Sequence, residues 1–348
     1  MSSKRSTLGT PRVTLKTIAT HLGLAIGTVS AALNDSAAAR TIPEHTKKKI
    51  LDAARELKYE PNYFARSLRL QRTYTIGIIT EQIGDPYGAV IISGIEEALR
   101  DTEYLFLTVV HRHDKRVLQN YARMLMSRGV EGFITVDTSI EEEPNLPTVA
   151  VAGHKTVTNV TNLILDQRHA VRLALCYLQK QGHAEIAFFR GQATSSDSAT
   201  RWSAVCSVCE ELGIPIKPEL VVQIEHDLTT PLLGYPYAKQ LLASGRYFSA
   251  LFAYNDLSAI GAIWAFQEAG KRVPQDISVV GFDDVPLAMF SNPTLTTIRQ
   301  PLEEMGRIAA RTLIQRIENK ADLRPEIVIE PELVVRASSG PVPVLARR

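Results

Sequence analysis

Residues 15–34 read LKTIATHLGLAIGTVSAALN. Apolar residues fall at Ile18, Ala19 and Leu22, then at Leu24, then at Val29, Ala32 and Leu33. That is one helical face, a break and a second helical face. Gly23 stands at the break, where a tight turn calls for positive φ. Ala19 is small where a second helix must cross closely. The spacing predicts a helix-turn-helix with its second helix over 26–33. A third helix is expected over roughly 43–58, with Pro43 in its first turn and Ile50, Leu51, Ala54 and Leu57 as its apolar stripe. Lys47, Lys48 and Lys49 on that helix can reach phosphates or simply solvate its surface.

Working outward, residues 59–73 read YEPNYFARSLRLQRT. Pro61 and Asn62 open a helical stretch over 63–70 flanked by Arg66, Arg69 and Arg72. Two turns of helix are marginal in isolation, so a partner is expected to order it. Charge singles out the same segment. Residues 1–73 hold 13 of the 39 Lys and Arg and 5 of the 37 Asp and Glu, a balance of +8. The remainder holds 26 against 32, a balance of −6, which gives the net +2 of the whole chain. Positive charge gathered into one small segment is the footprint of a polyanion, and the acidic remainder should repel one.

From Tyr74 onward, β-rich runs alternate with helical patterns. The runs lie at 75–80, 105–110, 132–136, 148–152, 185–189, 249–254 and 276–282, and the helical patterns at 88–101, 115–128, 167–181, 198–212 and 255–269. Such alternation implies parallel sheets covered on both faces, with too many strands for one compact sheet. The 348 residues, 45% apolar and 22% charged, suit a chain of two or three globular domains and exclude a disordered or fibrous one. Three cysteines cannot build a disulfide framework. No apolar run has the length of a membrane span, and no apolar segment follows the basic N-terminus as in a secretory signal. A cytoplasmic location without membrane contact is expected.

Three motifs in order, VTLKTIATHLGLAIGTVSAALN, PNYFARSLR and TIGIIT, carry a resemblance to the LacI/GalR family of transcriptional repressors, running from about Val13 to Arg336. The resemblance implies an N-terminal all-α helix-turn-helix domain followed by an α/β periplasmic-binding-protein-like body with two parallel-sheet subdomains. The expected boundaries are 1–60 for the first domain, with 1–12 a flexible tail, 61–73 for a hinge helix and linker, and 74–340 for the bilobal body. Within the body, the lobes would be 74–164 with 297–324 and 165–295 with 325–340, crossed near 164–166, 291–297 and 324–326. Partners implied are double-stranded operator DNA, a second copy of the chain, and a small polar effector of sugar type between the lobes. The helix over 302–317 and that over 89–99 are candidate dimer faces. No cofactor and no catalysis are expected.

By the same resemblance, Thr14, Ile26, Gly27, Thr28, Ser30, Ala31, Asn34, Asn62, Ala65, Arg66 and Leu68 face DNA, with Leu68 the wedge that kinks the minor groove at the operator centre. Tyr87, His111, His113, Asp166, Arg201, Asn255 and Asp283 face the effector. Two departures concern DNA. Ala25 replaces a serine that would cap the second helix, a loss of about 1 kcal/mol. Ala31 replaces an arginine able to read guanine bidentately, worth roughly 1–3 kcal/mol of discrimination. Others concern the pocket. Thr229 and Gly88 stand where aromatic residues are usual, and Arg201-Trp-Ser-Ala-Val205 lacks the usual Gly-Phe. Fewer stacking faces argue against a purine effector.

Two other classes share such a body: a solute-binding protein, opposed by the basic helical segment, and an α/β enzyme. The chain has no phosphate-binding lysine loop, no GxSxG elbow and no dinucleotide glycine fingerprint after a strand. His111-Arg-His-Asp114 has no second cluster near in sequence, which disfavours a metal. Cys206 and Cys209 read as buried thiols of an amphipathic helix, since only Cys176 remains to complete a zinc set. The loss of the Ala31 arginine predicts that selection from a random DNA pool recovers a half-site unlike the family's usual one. Recovery of the usual half-site, its guanine still strongly selected, defeats that expectation.

Overall fold

The structure, a computed structural model, describes residues 13–34, 36–153, 155–193, 195–320 and 323–342. The expected tail over 1–12 lies outside these residues. The chain divides into two compact units, residues 1–72 and 73–348.

In the first unit, α1 (Leu15–Leu22) starts at a reciprocal cap. Thr17 N–H donates to Thr14 Oγ1 at 3.3 Å and Thr14 N–H donates to Thr17 Oγ1 at 3.1 Å. It ends at Gly23 with φ 64°, and Leu24 N–H closes on the Ala19 carbonyl at 2.9 Å. Helix α2 (Ile26–Leu33) begins at Ala25 with no side-chain cap, as the missing serine implies. Helix α3 (Glu44–Glu56) follows a 3₁₀ turn, and Ile18, Ala19, Val29, Ile50, Ala53 and Ala54 form the core that joins the three. So small a core leaves little margin for lost packing. Helix α4 spans Tyr63–Leu70.

The second unit holds two six-stranded sheets. The first takes β1 (Thr75–Thr80), β2 (Leu105–Val110), β3 (Phe133–Val136), β4 (Thr148–Val151), β5 (Val160–Leu165) and β11 (Glu326–Ile329), in the order β11-β5-β4-β3-β1-β2, all parallel. The second takes β6 (Ile186–Arg190), β7 (Val221–Gln223), β8 (Ala250–Phe252), β9 (Ser278–Asp283), β10 (Thr296–Arg299) and β12 (Glu332–Val334), in the order β12-β10-β9-β8-β6-β7. Only its edge strand β12 runs antiparallel. Helices α5 (Pro86–Leu99), α6 (Lys115–Ser127) and α12 (Leu302–Ile317) serve the first lobe. The second lobe has α7 (Gln167–Lys180), α8 (Ser196–Leu212), α9 (Tyr235–Ala243), α10 (Asp256–Glu268) and α11 (Pro286–Phe290). Central strands such as β1 are buried along their whole length, so their runs are apolar on both faces.

Two expected crossings move. The strand ending at Arg299 still pairs with β9, so the second crossing falls at 300–301 rather than within 291–297. The third falls at 330–331, because β11 over 326–329 pairs with β5 of the first lobe. Register across a sheet, which local periodicity does not carry, decides both. Among the described residues no helix is long and apolar enough to cross a membrane.

Helices α5 and α12 cross through glycines. A Cβ on Gly94 would meet the Glu303 carbonyl oxygen at 1.9 Å, and one on Gly306 the Ile91 carbonyl oxygen at 2.1 Å. Backbone cannot yield as a side-chain tip does, so Gly306→Ala is expected to destabilise the body by about 1–3 kcal/mol or more. A melting temperature lower by several degrees checks this, and an unchanged one contradicts the crossing.

Candidate functional site

Both sheets send the C-terminal ends of their strands into one cleft, the place where ligands bind in parallel α/β folds. From the first lobe come Glu81 and Asp85 after β1, His113 after β2 and Asp137 after β3, with Tyr87 in the first turn of α5. From the second come Asp197 and Arg201 of α8, Asp227 after β7, Tyr254 and Asn255 after β8, and Asp283 at the end of β9.

Arg201 is 4% exposed and organises the second lobe's wall. Its guanidinium donates to Gln167 Oε1 at 3.1 Å, the Tyr254 carbonyl at 2.7 Å and Asp197 Oδ2 at 3.3 Å. It also lies 3.7 Å from the ring centre of Phe282 and 4.9 Å from that of Tyr254. Asn255 caps α10, with its Oδ1 accepting from Ser258 N–H at 2.9 Å, which leaves its amide NH₂ as the group to offer a ligand. Asp283 sits at φ 111° and the next residue, Asp284, at φ 57°. Two consecutive non-glycine residues in the left-handed region store strain where a side chain must be aimed. Asp283 accepts from the Gln300 amide at 2.7 Å, and burial holds its carboxyl well above the usual range. Gln300 lies in the second crossing, so this contact ties cleft to crossing.

Across the cleft, Asp227 is held by two side chains of the other lobe, His113 at 3.2 Å and Gln82. His113 also meets Glu81. The hydrogen bond from His113 brings Asp227 down to about 2, against the opposing effect of burial. The two carboxylates in turn raise His113 to about 10, which keeps it charged at neutral pH. Burial raises Glu81 to about 8 and Asp85 to about 6. The Tyr87 hydroxyl is buried in the same wall without a hydrogen-bond partner.

The predicted effector residues divide. Tyr87, His113, Arg201, Asn255 and Asp283 converge on the cleft. His111 does not line it. Its ring pairs with Thr138 Oγ1 at 2.9 Å beside a groove floored by Leu118, Met126 and Phe133, and burial lowers it to about 4, so it is neutral. Asp166 does not line it either. Its Oδ1 accepts from His169 N–H at 2.9 Å as the cap of α7, and its N–H donates to Ile329 O at 3.0 Å. Asp166 therefore staples a crossing. Trp202 packs edge-on against Phe188 at 6.1 Å in the core. Cys209 is buried, with its thiol pushed up to about 12, but Cys206 is exposed, contrary to expectation. Glu81, Asp137, Asp197 and Asp227 line the cleft beside the expected residues. Glu81 and Asp137 directly follow strands, a signal the strand-end rule supplies. Asp227 lies 114 residues beyond His113 and has no local signal.

In the first unit, Ile26 is 48% exposed, Gly27 faces open space, Thr28 and Ser30 are half-buried, and Asn34 donates back to the Ser30 carbonyl at 2.6 Å. Ala31 is 8% exposed, so it offers little surface on this helix. Thr14, Asn62, Arg66 and Leu68 are exposed, Leu68 at 82%. The side chain of Ala65 lies outside the described residues.

A family model described as a periplasmic binding protein-like domain matches residues 175–339. The HTH-type transcriptional repressor PurR of Photorhabdus laumondii subsp. laumondii is 32% identical over 334 residues, spanning 93% of this chain and 96% of that protein. Among solved structures, the Lac repressor dimer bound to operator and the anti-inducer ONPF has a TM-score of 0.84 at 24% identity, over 94% of this chain and 99% of that one. The transcriptional regulator CelR in complex with cellobiose has 0.68 at 25%, over 94% and 100%. With the paired-helix unit and two-lobed body in place, identity across nearly the whole length means that this chain belongs to the LacI/GalR family of ligand-responsive, DNA-binding transcriptional repressors, a family of regulators and not of enzymes.

Proposed function

We propose that this repressor binds a pseudo-palindromic operator as a homodimer and senses a small polar metabolite of sugar type in the interlobe cleft. The observation that carries the sensing half is the convergence of Arg201, Asn255, Asp283 and Tyr87 from two lobes onto one cleft. Planar amide, guanidinium and carboxylate groups match hydroxyls through paired hydrogen bonds. The CelR neighbour holds cellobiose, which supports a polyhydroxyl ligand at this place in the fold.

On the DNA side, α2 enters the major groove with Ile26 against a thymine methyl, while Gly27, Thr28, Ser30 and Asn34 supply the remaining contacts. Thr14 at the start of α1 and Asn62, Ala65 and Arg66 of the hinge segment hold the sugar-phosphate backbone and groove walls. Leu68 is the minor-groove wedge, and an 82% exposed leucine on a two-turn helix supports that role. Two-fold symmetry of the protein matches that of the operator. Exposed Leu287, Met289 and Phe290 on α11, the last at 81%, support a dimer contact there beside the expected α5 and α12 faces. Ligand binding shifts the lobe arrangement, with a coupling of typically about 1–3 kcal/mol.

Leu68→Ala is expected to weaken operator binding at least about tenfold in a gel-shift titration, since it removes a wedge and no core contact. Equal affinity would falsify the wedge. Phe290→Asp should shift the protein toward monomer in sedimentation and weaken operator binding in step. Tyr87→Phe should leave the melting temperature of the ligand-free protein unchanged or slightly raised, because the lost hydroxyl had no partner, yet reduce the shift an effector produces.

A further inference from the structure

We propose that the effector is a cation: a compact molecule bearing a protonated amine on its hydroxylated scaffold. The inference deepens the effector-cleft reading and rests on it.

Six carboxylates line the cleft, those of Glu81, Asp85, Asp137, Asp197, Asp227 and Asp283, against two cations, His113 and Arg201. At neutral pH burial keeps protons on Glu81 and Asp283, while Asp85 is mostly ionised. Both cations are already engaged by the scaffold. Arg201 serves Asp197, Gln167 and the Tyr254 carbonyl, and His113 serves Asp227 and Glu81. Asp85 accepts from the Gly88 N–H at 3.2 Å and Asp283 from the Gln300 amide, and neither makes an ion pair among the described residues. A neutral sugar leaves the Asp85 charge uncompensated and the buried carboxyls protonated, whereas an ammonium compensates the one and favours ionisation of the others.

A second observation, independent of charge, points to a ligand. Tyr87 is 8% exposed, and its hydroxyl has no partner in the wall it shares with Asp85. Buried hydroxyls without partners are rare, and a bound polar molecule supplies the missing hydrogen bond.

The titration of the wall gives the proposal a sign. Glu81 faces His113, Asp227 and Asp137; Asp85 faces Asp137 and Asp227; Asp283 faces Arg201, Asp256 and Asp85. Burial and like charge hold Glu81 near 8 and Asp85 near 6, so both carry protons over part of the range between. An arriving cation favours the ionised carboxylates and expels those protons. Affinity for a permanently protonated amine therefore rises with pH from about 6 to about 8. His113 stays charged throughout.

The test uses the full chain and matched pairs of probes whose alkyl amines stay protonated across that range, glucamine (1-amino-1-deoxysorbitol) against sorbitol and amino alcohols against the corresponding diols. Thermal shift at millimolar concentration is followed by calorimetry at both ends of that pH range. The amine partner of at least one pair is expected to raise the melting temperature and to bind about tenfold or more tighter than its hydroxyl partner. Its affinity should rise with pH, protons should be released, and Asp85→Asn should erase most of the preference. A hydroxyl partner binding as tightly as its amine overturns the proposal, and so does silence from every amine. A neutral sugar whose binding is lost in Tyr87→Phe overturns the charge and leaves the cleft reading intact. A probe that binds the Asp85→Asn, Tyr87→Phe double variant as well as the parent binds elsewhere, and overturns the cleft reading itself.

Discussion

A buried guanidinium cannot be left uncompensated, and the inner wall of the second lobe is arranged around that constraint. Arg201 sits between the Phe282 and Tyr254 rings, and each edge of its fork finds an oxygen: Gln167, the Tyr254 carbonyl and Asp197. The partners are themselves fixed. Gln167 donates to Asp197 at 3.2 Å, and the Tyr254 hydroxyl meets Ser195 at 2.6 Å. Removing a partner would strand a charge of high desolvation cost, so the network behaves as one piece. This side of the cleft is thus a preformed wall, of the kind that reduces the ordering cost of binding.

The opposite wall works differently. Glu81, His113 and Asp227 form a charged bridge between lobes, with the carboxylates competing for one imidazolium. Such a bridge joins surfaces that belong to different sheets and different segments of chain. It can break without unfolding either core. The cleft therefore pairs a rigid half with a half whose contacts are exchangeable, which is what a two-state sensor requires. Gln300, in the second crossing, donates to Asp283 in the cleft, so one crossing is tied directly to the cleft wall.

The small N-terminal unit shows the reverse economy. Its core is a handful of apolar residues, and its identity lies in turn chemistry: a reciprocal threonine cap, a left-handed glycine, and an alanine where a capping serine is usual. Ala31 is buried on α2, whereas Ile26 and Gly27 stand exposed on it. The N-terminus of α2 is uncapped, which leaves its first N–H groups without a side-chain acceptor.

Local pattern alone determined the three N-terminal helices, the two-turn stretch over 63–70, most strands and the helix over 302–317, because period, caps and glycine placement are properties of contiguous residues. The family resemblance carried by those motifs pointed to Tyr87, Arg201, Asn255 and Asp283, which end strands or open helices. Tertiary structure alone decided where the lobes exchange chain, since β10 and β11 are short and their sheet membership is set by register. It alone turned Asp166 into a staple and His111 into a core imidazole. It alone brought Asp227 to His113 and gathered six carboxylates into one cleft. The physical reason is range: hydrogen bonding within a turn is written in neighbouring residues, whereas the field inside a cleft sums charges from segments that only folding makes adjacent.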